Sequence, residues 1–312
     1  MNDEDVLWSR RTLRAAFWVG HVLGRHGEQE DIAHESWMEL PLAGDVDLAE
    51  LRAAEHALLE AGLVRRVGSQ LVPDARLRVA CAEWRADTPE LILTLALETS
   101  RPLWLRAAAG DGDRLRPELM PDGPAGALAT VMPDPAQREA FLLARARSVD
   151  AAERLELGAA GEEIVEAACR AELADLGHKD LAAAVRRVSV VSDELGYDVT
   201  APRIDGTTRR LEVKATRSAA ADISIVVTRN ELTVGLSDAD WFLVVVRIDR
   251  SGQHEIVGHS QAAALESLFP EDRHDRGHWQ ATRLRLRATT LRRGLPPAAH
   301  LPPPPAAVTL LQ

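Results

Sequence analysis

The chain has 312 residues, with 37 basic against 48 acidic side chains, a formal net charge of −11 and a pI near 5.4. Such a balance excludes a generally basic nucleic-acid coat and an anionic-membrane binder, which both need surplus Lys and Arg, but it does not exclude an enzyme that meets a polyanion locally. The length suits two domains, and the two cysteines, Cys81 and Cys169, offer neither a disulfide framework nor metal-ligand spacing.

The first five residues, Met1 to Asp5, are acidic where a secretory signal is basic, and no apolar run reaches the roughly 18–20 residues of a bilayer span. A cytoplasmic protein without membrane contact is expected. Only Lys179 and Lys214 are lysine, and the other 35 basic residues are arginine. By segment, residues 1–150 hold 17 basic and 25 acidic side chains, 151–260 hold 13 and 19, and 261–312 hold 7 and 4. The acidic balance therefore belongs to the first two segments, and the C-terminal end is basic.

In chain order, apolar residues recur at helical spacing from Val6 to His26, where His26-Gly27 supplies a stop. Asp45 or Asp47 can cap a second helix that Gly62 ends. Two short strands then flank a turn at Gly68-Ser69 between Leu63 and Pro73. Helix followed by hairpin resembles a winged helix-turn-helix module, in which the helix before the wing enters a DNA groove. Here that helix, Asp47 to His56, is acidic, which favours protein contacts and leaves Arg65 and Arg66 on the wing as the DNA candidates. Further helical patterns cover Leu91–Leu97 and Leu103–Ala109, and Gly/Pro/Asp-rich connectors cover 110–113 and 121–124. Pro133 to Val149 reads as a helix. A boundary falls near 150, where Asp150 offers a cap for the next helix and a continuous helix is the other reading of the join.

From 150 the pattern changes. Asp150–Leu176 is helical with Leu157, Ile164, Val165, Ala168 and Leu173 on its apolar face. Val185–Val191, Gly196–Ala201, Arg210–Thr216 and Ile223–Val227 read as strands, a helix starts near Asn230, and Trp241–Ile248 is a continuously apolar, hence interior, strand. Leu295–Pro297 and Pro302–Pro305 describe a polyproline tail.

Side chains alternate along a strand, so Glu212 and Lys214 share one face and point the same way. A hairpin with the preceding strand brings a second carboxylate, Asp198, toward Glu212. Two carboxylates suit Mg2+, which prefers hard oxygen ligands and leaves positions open to phosphate oxygens. A lysine beside such an ion can orient water or stabilise charge on an attacked phosphate, which together describes a metal-assisted phosphodiester hydrolysis site.

At these residues the sequence resembles the PD-(D/E)XK nuclease superfamily, and more closely the domain found at the C-terminus of the plant NO VEIN protein and in many bacterial proteins. The residues that carry the likeness are Gly158–Glu162, Gly196-Tyr197-Asp198, Glu212-Val213-Lys214, Thr228–Glu231 and the strand from Trp241, over about 150–260. Tyr197 stands where the classical motif has proline. The resemblance implies Asp198 and Glu212 as ligands of Mg2+ or Mn2+, with the Val213 carbonyl as a third. It also implies Lys214 as the water-orienting or charge-stabilising group and Glu162 as an auxiliary helix carboxylate. No role for Asn230 and Glu231 follows, beyond capping the helix.

Other features carry less. His274 and His278 lie in a loop-like segment with no cysteine partner, and His254 and His259 flank a strand. No nucleophile elbow and no Gly-rich phosphate loop is present. Arg283, Arg285 and Arg287 alternate on one strand face, which either contacts phosphates or keeps an edge soluble.

The fold expected is α/β, a restriction-endonuclease-like mixed sheet flanked by helices behind a mostly helical, winged-helix-like region. The divisions are a winged-helix-like module at 1–84, a helical linker region at 85–150, a nuclease-like domain at 151–292 and a Pro-rich flexible tail at 293–312. The expected function is metal-dependent cleavage of nucleic acid, DNA before RNA, in bacterial defence or DNA processing. The alternative is a non-catalytic adaptor that binds protein or nucleic acid through a winged helix and a degenerate nuclease fold. Protein partners would meet the acidic N-terminal region, and a homodimer would serve a nuclease that cuts both strands of a duplex.

Overall fold

In the computed structural model, which describes residues 9–26, 33–35, 37, 46–110, 114–188, 195–271 and 279–299, the chain divides into two units, Met1–Ala152 and Glu153–Gln312. The first contains α1 (Arg10–His26), α2 (Leu48–Glu60), the hairpin β1 (Val64–Val67) and β2 (Gln70–Pro73), α3 (Ala75–Ala80), α4 (Thr88–Ser100), α5 (Leu103–Ala109), α6 (Asp122–Val131) and the beginning of α7 (Pro135–Asp175). Asp47 opens α2 through a capping box: its carboxylate accepts the Glu50 N–H at 2.8 Å, and Glu50 accepts the Asp47 N–H at 2.9 Å. Val67 pairs with Gln70, so Gly68-Ser69 forms the turn as expected. One buried cluster runs from Leu13 to Val149 through all these helices.

Two expectations change here. The connector at 121–124 is the first turn of α6, with Pro121 as its cap. Pro124 fits there because a first-turn N–H has no helical partner to lose. Helix α7 runs unbroken through Asp150, which caps nothing and instead pairs with Arg106 at 3.1 Å.

The second unit follows α7 with α8 (Lys179–Ala184), β3 (Arg186–Arg187), β4 (Val199–Pro202), β5 (Thr208–Thr216), β6 (Asp222–Thr228), α9 (Arg229–Ser237), β7 (Trp241–Ile248), β8 (His254–Ser260) and β9 (Ala281–Arg287). Five strands form a mixed sheet in the order β3-β4-β5-β7-β8. Within it β5 and β7 run parallel, from Arg210↔Trp241 to Thr216↔Arg247, and the other pairs are antiparallel. The apolar β7 is interior, as its composition predicts. By contrast β6 leaves this sheet and pairs antiparallel with β9, from Asp222↔Arg287 to Thr228↔Ala281. The strand expected over 185–191 is only Arg186–Arg187 within the described residues, and 189–191 lie outside them.

Strand alternation divides the core between the two sheet faces. Leu211, Val213, Val244 and Val246 pack against Val165, Cys169 and Leu173 of α7. On the other face Trp241, Leu243 and Val245 pack against Ile223 and Ile225 of β6 and Leu284 and Leu286 of β9. Residues 293–299, read from the sequence as the start of a flexible tail, are held to this unit. Ala298 is buried and its N–H donates to Glu172 at 3.0 Å, while the Pro296 carbonyl accepts from the buried Arg209 and that of Gly294 meets His259 Nδ1 at 2.8 Å. Prolines restrict the unfolded chain without preventing their carbonyls from accepting, so proline content alone did not exclude order. His274, His278 and Pro302–Pro305 lie outside the described residues. Among the described residues no helix is long and apolar enough to cross a membrane.

Candidate functional site

Strand β4 begins one residue after Asp198. The last pair between β4 and β5 is Val199↔Leu211, so the next part of β5, Glu212 onward, has no β4 partner on that edge. Asp198 closes the gap with its side chain. Its backbone N–H donates to the Leu211 carbonyl at 2.9 Å, and its Oδ2 accepts the Val213 N–H at 2.8 Å. A strand residue turns its N–H and C=O to the same edge, so the Val213 carbonyl faces the Asp198 side as well.

Two glycines make this arrangement possible. Gly196 has φ +71°, in the left-handed region, and a Cβ built there would lie 2.8 Å from Val234 Cγ2 on α9. Its carbonyl accepts the indole N–H of buried Trp241 at 2.8 Å, which fixes the path of the chain two residues before Asp198. On α7, a Cβ at Gly161 would lie 2.8 Å from Ala215 Cβ, so only glycine lets the helix approach β5 this closely. The next residue is Glu162.

The result is a cleft of about 360 Å3, lined by Arg154, Gly158 and Glu162 of α7, Tyr197, Asp198, Glu212 to Ala215 of β5, Val226 of β6 and Glu231 of α9. Lys214 Nζ lies 2.7 Å from Glu212 Oε1 and 3.1 Å from Glu231 Oε2. Glu231 also forms the capping box of α9: its carboxylate accepts the Thr228 N–H at 2.9 Å, and its own N–H donates to Thr228 Oγ1 at 3.3 Å. The cap expected of Glu231 is therefore present, and the same carboxylate holds the lysine.

Burial dominates the electrostatics. It pushes the Asp198 carboxyl up to about 6, with Glu162 and Glu231 adding to the rise and the Val213 N–H and Lys214 opposing it. Burial also raises Glu212, against the pull of Lys214 and with Asp198 and Glu231 adding. For Lys214 burial alone would lower the value, but Glu212 and Glu231 outweigh it, and the ammonium stays charged beyond its ordinary range. The cleft therefore combines one fixed cation with carboxylates that resist ionising together. Both cysteines are buried, which pushes each thiol up to about 12 and removes them as nucleophiles.

Among the described residues no group of three or more His, Cys, Asp or Glu forms a ready metal cage. Closed protein cages typify structural zinc, whereas Mg2+ is commonly held by one or two carboxylates and completed by water and phosphate oxygens. The half-buried Asp198 and the buried Glu212, both raised by Glu231, offer hard oxygen donors of that kind.

Residues 161–257 match the family model described as Protein NO VEIN, C-terminal. The resemblance carried by Gly161-Glu162, Gly196-Tyr197-Asp198 and Glu212-Val213-Lys214 is thus borne out for this family. No curated protein and no solved structure matches the chain. The NO VEIN C-terminal match encloses Glu162, Asp198, Glu212, Val213, Lys214 and Glu231, and it excludes Arg154 and strand β9.

The remaining sequence candidates are not among the residues that line the cleft. Arg65 and Arg66 sit on β1 in the first unit, where Arg66 pairs at 3.3 Å with Glu55 of α2, itself bonded to His34 at 2.9 Å. Arg283, Arg285 and Arg287 lie on the exposed face of β9, opposite Val226, Ser224 and Asp222, and Arg287 is 4.0 Å from Asp222. Local patterns did not point to Glu231 as a partner of Lys214, or to Arg154 as a cleft residue.

An Asp198→Asn variant separates the electrostatic cost of the site from its packing, because the amide oxygen can still accept the Val213 N–H. A carboxyl whose folded pKa is raised costs stability once it ionises, so its stabilising share is present at low pH and lost as pH rises through about 6. The second unit of the variant should melt roughly 2–4 °C above that of the wild type at pH 8 without divalent ions, as about 1 kcal/mol produces in a unit of this size. The two should converge near pH 4. Differential scanning calorimetry checks this, and a lower Tm at pH 8 would contradict it.

Proposed function

We propose that the second unit is a restriction-endonuclease-like domain that hydrolyses phosphodiester bonds of nucleic acid with Mg2+ or Mn2+, DNA being the expected polymer. The observation that carries this reading is the convergence of Asp198, Glu212 and Lys214 in one cleft at the open edge of β5. Lys214 is ion-paired, yet it lines the cleft, which favours an enzyme over an adaptor.

Asp198, Glu212 and the Val213 carbonyl would hold the cation, with Glu162 as the auxiliary carboxylate from α7. When bound, the ion supplies Lewis-acid polarisation of a phosphate and a more acidic water. Lys214 remains protonated between Glu212 and Glu231, so it serves as a fixed positive charge for the phosphate under attack, and proton abstraction is not its task. The first unit, with its acidic α2, is assigned to protein contacts. Bacterial defence or DNA processing in the cytoplasm is the setting proposed, with a homodimer where both strands are cut.

Incubating the full chain with labelled single- and double-stranded DNA and RNA, in Mg2+, Mn2+ or EDTA, tests the reading and identifies the polymer. Divalent-dependent cleavage of at least one is expected, and cleavage of none would overturn the proposal. Metal affinity should also depend on pH. Because burial raises Asp198 and Glu212, a cation must displace protons at low pH, so Mn2+ should bind more tightly at pH 8 than at pH 5.5. Calorimetric titration at the two values measures this, and equal affinities would contradict it.

A further inference from the structure

Four carboxylates around one lysine make a centre that repels a phosphate chain, so attraction must come from beside the centre. The cleft lies where two layers that cover opposite faces of the sheet reach the edge of β5. Helix α7 packs on the face of Leu211 and Val213, and the β6–β9 ribbon packs on the face of Leu243 and Val245. Each layer presents exposed arginines. Arg154 lines the cleft from α7, four residues before Gly158 and eight before Glu162, so the three lie along one row of the helix. At 1.5 Å per residue Arg154 stands about 12 Å along the axis from Glu162. A Cβ at Gly158 would meet nothing within 4 Å, so the space between them is open.

On the other layer, Val226 lines the cleft and is the cross-strand partner of Arg283, with Ser224↔Arg285 the next pair on the same exposed face. Arg283 and Arg285 are about 7 Å apart along the strand, far enough to meet separate phosphates. Elsewhere in this acidic unit arginines are tied to carboxylates, as in Arg187–Glu163, Arg210–Asp238 and Arg247–Glu255. Arg154, Arg283 and Arg285 have no ion pair, hydrogen bond or ring contact among the described residues.

We infer that a polynucleotide strand crosses the cleft from α7 to the β6–β9 ribbon, its backbone held by Arg154 on one side of the carboxylates and by Arg283 and Arg285 on the other. This rests on the nuclease reading of the cleft and adds Arg154 as a substrate-binding residue. The track explains how a chain of net charge −11 can receive a polyanion: the attraction is confined to Arg154 on one flank of the acidic centre and to Arg283 and Arg285 on the other.

Binding and cleavage are read separately in the test. Fluorescence anisotropy with a fluorescein-labelled single-stranded DNA, over a range of salt concentrations, is measured in the full-length Asp198→Asn background with Mg2+. Arg154→Ala and Arg283→Ala should each weaken binding and reduce the salt dependence, the slope of log affinity against log salt, by about 0.7 per lost phosphate contact. Arg250→Ala, an exposed arginine in the β7–β8 turn, should match its parent. In the otherwise wild-type chain Arg154→Ala should raise KM and leave kcat unchanged. If Arg154→Ala and Arg283→Ala keep the parental affinity and slope, or if the parent binds no DNA, the track is overturned. Cleavage by the wild type alongside unchanged binding of the variants would remove the track and keep the nuclease reading. Lost binding in the variants with no cleavage by the wild type would keep the track and remove the nuclease reading.

Discussion

Replacing Lys214 with methionine is expected to slow phosphodiester cleavage by about 1000-fold, the scale seen when one preorganised group that stabilises developing charge is removed. Stability should fall as well. Lys214 pairs with Glu212 and Glu231 at 2.7 and 3.1 Å, and without it the buried Glu212 carboxyl resists ionisation further. A raised carboxyl pKa removes stability as pH rises, so the deficit of the variant should grow from pH 5 to pH 8.

Lys214→Arg divides the two effects. A guanidinium keeps the charge and can retain both ion pairs, so melting should return close to the wild-type value. It is planar, bulkier and more weakly hydrated than an ammonium, so it should not restore the rate. In a chain that uses arginine 35 times and lysine twice, this position has a physical reason to remain lysine. Single-turnover rates and melting curves of the three proteins decide the matter. Full activity in Lys214→Arg would show that charge alone suffices.

Gly196→Ala is expected to lower activity by about 100-fold while removing none of the proposed site side chains, since a misplacement of about 1 Å can cost that much. The backbone at Gly196 has φ +71°, which costs an L-residue roughly 1–2 kcal/mol, and the new methyl would sit 2.8 Å from Val234 Cγ2. Relief requires the chain to move away from α9, and Asp198 follows two residues later. The double variant Gly196→Ala, Val234→Ala removes the 2.8 Å contact but leaves the β-carbon of residue 234 at 3.1 Å and the backbone strain, so it should recover part of the lost stability and part of the rate. Wild-type rates in Gly196→Ala, measured below its Tm, would show that Asp198 does not depend on this turn.

Which parts were legible in the sequence follows from the range of each interaction. Alternation along β5 put Glu212 and Lys214 on one face, and the local hairpin with β4 brought Asp198 beside them. The Thr228-x-x-Glu231 spacing announced a cap, but nothing local says that its carboxylate will reach Lys214, because that contact depends on how α9 packs over the sheet. Likewise the strand at Ile223–Val227 was readable from its composition, whereas its partner β9 begins more than 50 residues later and its departure from the main sheet is a tertiary outcome. The segment 293–299 misled for a related reason: its order comes from Glu172, Ile204, Arg209 and His259, which are distant in sequence.

The most direct measurement is the rate of cleavage of labelled DNA in Mg2+ by the wild type, Asp198→Asn and Lys214→Met, each shown to be folded by calorimetry. Divalent-dependent cleavage by the wild type and a loss of about 1000-fold or more in both variants are expected. Equal rates in all three would contradict the assignment of the cleft.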